Sequence, residues 1–233
     1  MRLPGRGHDG GMRRFVRDHS LSIVMLGAFL LLWLGGQAWA GHRTYNDEQR
    51  AHGEAAVSFG EYVTRADFGE ATFENWESEF LQMGVYVLLT AYLVQRGSAE
   101  SKPAAGDPTL DADPREHRSD PDAPWPVRRG GLVLKLYENS LSIFMITLFL
   151  LAFVGHLVTG AHGFNAEQAA HGEPAVSVVG FLFRSEFWFQ SLQNWQSEFL
   201  AVGTLVIASV YLRQRGSPES KPVHAPHAST GAD

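Results

Sequence analysis

The stretch "LSIFMITLFLLAFVGHLV", residues 141–158, carries no titratable side chain except His156. A helix needs about 20 apolar residues to cross the hydrocarbon core of a bilayer. A second stretch, "LSIVMLGAFLLLWLGG" at 21–36, is uncharged throughout. Working outward, four apolar segments emerge: Leu21–Trp39, Phe80–Val94, Leu141–Val158 and Phe199–Leu212. None contains proline, which would interrupt a helix. The expected fold is all-α, a four-transmembrane-helix bundle. The mean hydropathy of −0.12 conceals this, because it averages apolar segments with polar ones.

The 233 residues carry a formal charge of −6, which excludes a generally basic nucleic-acid binder. The absence of cysteine excludes disulfides, thiolate metal sites and cysteine nucleophiles. Arg13, Arg14 and Arg17 precede the first apolar run, which ends in Ala38-Trp39-Ala40. That pattern also fits a cleaved signal peptide. The rest of the chain favours a retained span.

Residues 46–103 align without a gap to residues 165–222, with about half the positions identical. "NDEQRAHGEAAVS" matches "NAEQAAHGEPAVS", and "YLVQRGSAESKP" matches "YLRQRGSPESKP". The "SLSI" at 20–23 matches the one at 140–143, so one residue has been gained or lost within or just after the first helix of a copy. The repeat is helix, long loop, helix. The copy of the first helix at 141–158 is internal and cannot be a signal peptide, so its N-terminal counterpart is read as a span too.

Lysine and arginine cluster before the first span, between the second and third, and after the fourth. The two remaining loops hold only Arg43, Arg50, Arg65 and Arg184. By the positive-inside rule both termini are cytoplasmic, and the two copies are parallel repeats. The expected layout is a cytoplasmic segment 1–19, repeat 1 at 20–96, a linker 97–131, repeat 2 at 132–215 and a tail 216–233. Linker and tail are rich in Pro, Asp, Ala and Ser and are expected to be disordered. The outer loops, with aromatics throughout, are expected to form short interfacial helices.

"NWESEFL" at 75–81 and "NWQSEFL" at 194–200 sit at the start of the second and fourth spans. The apolar parts of those spans are short, so each helix is expected to begin near Asn75 or Asn194, acting as N-cap. Trp76 and Trp195 then anchor at the interface. Glu79 and Glu198 fall one turn deeper, with Arg65 and Arg184 as candidate partners. Between the copies Glu74 and Glu77 become Gln193 and Gln196, which reads as charge being dispensable there. Glu79 and Glu198 are expected to favour the helix start structurally, with a proton, cation or substrate site as the alternative.

"EQRAHGE" at 48–54 and "EQAAHGE" at 167–173 place Glu48 with His52, and Glu167 with His171, at i, i+4. That spacing is compatible with a weak metal or ion site. A capped turn is the favoured reading, and no cofactor is expected. His156 and Gln37 are read as interhelical hydrogen-bonding groups. The chain holds no Gly-rich phosphate loop and no nucleophile elbow.

These motifs resemble a family of uncharacterised bacterial integral membrane proteins, known only as a domain of unknown function. The resemblance rests on Ser20–Ser22, Tyr45–Gln49, His52–Glu54, Asn75–Gln82 and Gln95–Lys102. They recur in the second copy with Phe164 for Tyr45 and Ala201 for Gln82. It implies an inner-membrane protein and brings no activity or catalytic residues. The expectation is a non-enzymatic structural or accessory membrane component, in contact with the lipid bilayer and with a membrane-protein partner or homo-oligomer left open. The alternative is a small proton- or cation-coupled transporter using Glu79 and Glu198; a membrane metalloenzyme ranks third.

Overall fold

The structure is a computed structural model describing residues 9–231, which are helical or in turns with no strand among them. Helix α1 (Asp9–Asp18) precedes α2 (Ser20–Leu30), a π-helical turn at Leu31–Gln37, and α3 (Ala38–Ala51). The helical path from Ser20 to Ala51 is 32 residues long. Next come α4 (Phe59–Tyr62) and α5 (Ala66–Tyr92), then a 3-10 turn at Pro114–His117. The chain continues through α6 (Trp125–Arg129), α7 (Gly131–Glu138), α8 (Ser140–Ala170), α9 (Val178–Leu182) and α10 (Ser185–Tyr211). Two helices, Ser20–Ala51 and Ser140–Ala170, are long and apolar enough to cross a membrane.

Two expected helix starts are corrected. Asn75 and Asn194 do not cap anything: α5 begins at Ala66 and α10 at Ser185, nine residues earlier in each case. Asn75 instead folds its amide back onto the Ala71 carbonyl at 2.7 Å. The starting point had been inferred from the short apolar run alone. A helix can begin in polar sequence when its polar side chains find partners, and here they do. Short helices occur in both long loops. Ser58 and Ser177 open α4 and α9 by accepting the Glu61 and Gly180 amides at 3.2 and 2.9 Å.

The chain divides into one unit ending at Gly69 and another beginning at Glu70. In the first, Ala38, Tyr62 and Phe68 form the buried cluster, with Trp33, Tyr45 and Val57 against it. Asn46 pins the returning loop: its Oδ1 accepts the Val57 amide at 2.7 Å and its Nδ2 donates to the Val57 carbonyl at 3.1 Å. In the second unit Ala161, Phe181 and Phe187 are buried among Phe153, Leu157 and Phe164. Asn165 makes the same pair of bonds to Val176, both 2.8 Å.

Burial departs from that of a water-soluble core, because polar side chains are buried beside the aromatic clusters while many aliphatic ones are exposed. The buried set includes Glu77, His156, Gln82, Thr72, Ser191 and Lys221. The exposed set includes Leu21, Val24, Leu26, Leu31, Leu32, Leu151, Leu200 and Ile207. Water-soluble domains bury aliphatic side chains and expose charged ones. This distribution suits a solvent that is itself apolar.

The linker and the tail, read from composition as disordered, contain turns and local hydrogen bonds, and they meet. Gly97 donates to Thr230 Oγ1 at 2.9 Å and Gly231 donates to the Ser98 carbonyl at 2.9 Å. The Lys221 ammonium is almost wholly buried. It donates to the carbonyls of Gly97, His227 (3.0 Å) and Ser229 (2.9 Å). Burial holds its pKa below the usual lysine value, and the nearby Arg213 charge adds to the effect.

Candidate functional site

The acids of α5 that matter are Glu70, Glu74 and Glu77, spaced i, i+4, i+7 along one helical face. Small residues of α8 let that face come close. A Cβ on Gly155 would sit 2.7 Å from the Phe73 ring, and one on Gly163 would sit 2.6 Å from Glu70 Oε2. Side chains at those two positions would push the helices apart.

Glu77 and His156 are the centre. Neither side chain has any solvent exposure, and Glu77 Oε2 lies 2.9 Å from His156 Nδ1. The other carboxylate oxygen accepts the Trp195 indole N–H at 2.9 Å. His156 Nε2 lies 3.2 Å from Gln190 Oε1, and Gln190 Nε2 donates to Glu70 Oε1 at 2.9 Å. One turn along, Asn194 Nδ2 donates to Glu74 Oε1 at 2.6 Å, and Gln193 reaches the same oxygen at 3.4 Å. The acids of α5 are thus met by donors from α8 and α10.

The donor roles follow from the order of the bonds. The Gln190 amide turns its NH2 toward Glu70 and its oxygen toward His156. His156 Nε2 must then be the donor. An indole can only donate, so Glu77 Oε1 is an acceptor. One proton remains to be placed, on the line between His156 Nδ1 and Glu77 Oε2. On nitrogen it gives an ion pair; on oxygen it gives a neutral pair. Both arrangements satisfy every partner. Removing it would set a buried carboxylate against an imidazole lone pair, with Glu74 nearby.

Of the residues singled out from sequence, Asn194 and Trp195 bond the acids of this seam. Glu79 is exposed and Glu198 half-buried. Their charges are close enough to act on one another, and neither has a hydrogen-bond partner among the described residues. Arg65 pairs with Glu61 at 3.2 Å and lies over the Tyr45 ring. The Arg184 guanidinium lies over Phe164. Trp195 directs its indole N–H at Glu77, and Trp76 packs edge-on against Phe73.

The HGE motifs are helix stops. Gly53 and Gly172 take φ of +77° and +72°. The amides of Glu54 and Glu173 return to the Gln49 and Gln168 carbonyls, both at 2.8 Å, which is a Schellman cap. The rings of His52 and His171 bond the Glu48 and Glu167 main-chain carbonyls, not their carboxylates. No group of three metal-ligating side chains forms among the described residues.

Sequence reasoning passed over Glu77 because its counterpart is Gln196.

Fold and site together define an all-helical protein, with a polar seam centred on a buried Glu77–His156 pair and two helices long and apolar enough to cross a membrane. It belongs to the family described as a domain of unknown function, DUF6766, whose family model matches residues 12–232. No curated protein and no solved structure gives a match.

Proposed function

We propose that this chain is a multi-pass protein of the bacterial inner membrane, with four spans in two parallel repeats, acting as a non-enzymatic structural or accessory component. The observation that carries the reading is the burial pattern: Glu77, His156 and Gln82 are inside while leucines along the apolar helices are outside. The acids of α5 are bonded by Gln190, Asn194, His156 and Trp195, so the seam joins helices, and at its centre Glu77 and His156 are sealed.

The duplication is supported by bonds that recur at matching positions. Asn46 to Val57 repeats as Asn165 to Val176, Gln49 to Glu54 as Gln168 to Glu173, and the serine caps likewise. The extra residue of the first copy is absorbed by the π-helical turn at Leu31–Gln37, where the matching part of α8 is unbroken. An added residue in an α-helix rotates all that follows by about 100°. A π turn takes up that residue locally and keeps Asn46 in register with Asn165.

Proton-coupled transport is the second reading, moved from Glu79 and Glu198 to the Glu77–His156 pair. Against it, the chain of bonds passes through an amide, Gln190, on one side and meets a donor-only indole, Trp195, on the other. Neither passes a proton onward readily.

Reporter fusions test the topology. Those at residue 110 and at the C-terminus should report cytoplasm, and those near 55 and 174 the outside. An external signal at 110 would refute the arrangement. For transport, Glu77→Gln in proteoliposomes should leave any ion-dependent flux unchanged; abolition of flux with the fold intact would establish the second reading instead.

A further inference from the structure

The segment from Pro114 to Glu138 folds into a small module immediately before α8. Val127 of α6 and Leu134 of α7 are its buried apolar side chains. It forms a half-open hollow of about 440 Å³ whose lining includes Arg115, Arg118, Lys135 and Glu138, over Gly130 and Leu134. Three cations thus face one carboxylate.

The cations are not neutralised from within. Arg118 is held by main-chain carbonyls, donating to Arg128 and Arg129 at 3.2 and 3.3 Å, across Gly130. A Cβ at Gly130 would come 3.2 Å from its guanidinium carbon. Arg115 has only a loose, solvent-exposed pairing with Asp113 at 3.7 Å. Lys135 makes no ion pair among the described residues. A guanidinium fixed by carbonyls keeps its full charge, and the pocket is therefore shaped for an anion.

Beside the cavity, α7 presents Leu132 and Leu136 one turn apart, at 79% and 62% exposure. A single residue, Asn139, separates α7 from the apolar helix α8. A basic hollow, an adjacent apolar ridge and the foot of a span match the parts of one ligand: a phosphate headgroup and its acyl chains.

We propose that this module is a binding site for one anionic phospholipid, its phosphate held by Arg115, Arg118 and Lys135 and its chains lying along Leu132 and Leu136. The site rests on the membrane reading given above, and it places the headgroup in the cytoplasmic leaflet.

Native mass spectrometry of the full-length protein in detergent, titrated with phosphatidylglycerol or phosphatidylcholine, tests it. Phosphatidylglycerol should be retained preferentially as a single adduct. Each cation removed should weaken retention about fivefold, so Arg118→Gln with Lys135→Gln should lose roughly 25-fold. Arg128→Gln with Arg129→Gln, outside the cavity, should change it little. Glu138→Gln should raise retention, an effect that misfolding cannot imitate. Leu132→Ser with Leu136→Ser should weaken phosphatidylglycerol while leaving displacement by inorganic phosphate unaltered. Equal retention of the two lipids, or equal losses in the two double-charge variants, would overturn the site. Inorganic phosphate competing as well as the lipid would show a soluble anion as the ligand and overturn the lipid. These readouts are independent of the fusion at residue 110, so a failed topology and a failed lipid site are distinguishable.

Discussion

Glu77 Oε2 lies 2.9 Å from His156 Nδ1, with both side chains sealed from solvent, and the two residues stand 79 positions apart in the chain. Removing one side of a buried hydrogen-bonded Glu–His pair leaves the other buried without its partner, at about 1–3 kcal/mol for a neutral pair and about 3–5 kcal/mol for an ion pair. His156→Ala should therefore destabilise the protein by that order, read from unfolding in micelles. Glu77→Gln keeps an oxygen for Trp195 and an NH2 for His156, so it should cost about 1 kcal/mol. The double variant Glu77→Gln, His156→Gln installs the amides found at Gln196 and Gln37. It should recover most of the loss seen in His156→Ala. A double variant as unstable as His156→Ala would refute the pairing as the source of stability.

The π-helical turn at Leu31–Gln37 makes a prediction about chain length. Deleting Gly36 should convert the turn to α-helix and leave Asn46 facing Val57, with a change in melting temperature of only a few degrees. Deleting Val154 from unbroken α8 has no such outlet. It should rotate Asn165 away from Val176 and abolish stable folding. Equal effects of the two deletions would show that the π turn does not carry the extra residue.

Asn46 and Asn165 each hold both polar groups of one backbone residue eleven positions on. Asn165→Ala would leave the Val176 amide and carbonyl without partners, at about 1–3 kcal/mol. Hydrogen exchange at Val176 should accelerate, and Asn46→Ala should act in the same way on Val57. Unchanged protection at both sites would show the loops to be held by their apolar contacts instead.

Lys221 ties the tail to the linker through main-chain carbonyls. Lys221→Met preserves bulk and removes the donors. Limited proteolysis should then cut after residue 215 well before any helix is cleaved, and faster than in the parent. Equal cleavage rates would mean the tail is held without the ammonium.

Glu79→Gln with Glu198→Gln should be neutral or slightly stabilising, since it removes a repulsion and breaks no hydrogen bond. Unfolding in micelles should shift by less than about 1 kcal/mol. A loss of several kcal/mol would return these acids to the centre of the fold.

The apolar runs, the absence of proline and the pairing of HGE with a helix stop were legible in the sequence, because each is set by residues within a few positions of one another. Helicity follows from local backbone bonding, and the glycines at 53 and 172 mark turns that need positive φ. The starts of α5 and α10 were not legible. They depend on which polar residues find partners on another helix, and apolar length does not report that. The same limit explains Glu77. Sequence comparison between the copies ranked Glu79 above it, since Glu79 is kept as Glu198 while Glu77 becomes Gln196. Retention in both copies, however, measures what the two copies share. His156 and Glu77 meet only once, across two helices, and a contact between distant positions is fixed by packing. The chain determined that helices form and where their apolar faces lie; the tertiary structure alone decided which acid is buried, because burial of a charge requires a partner that only folding brings within reach.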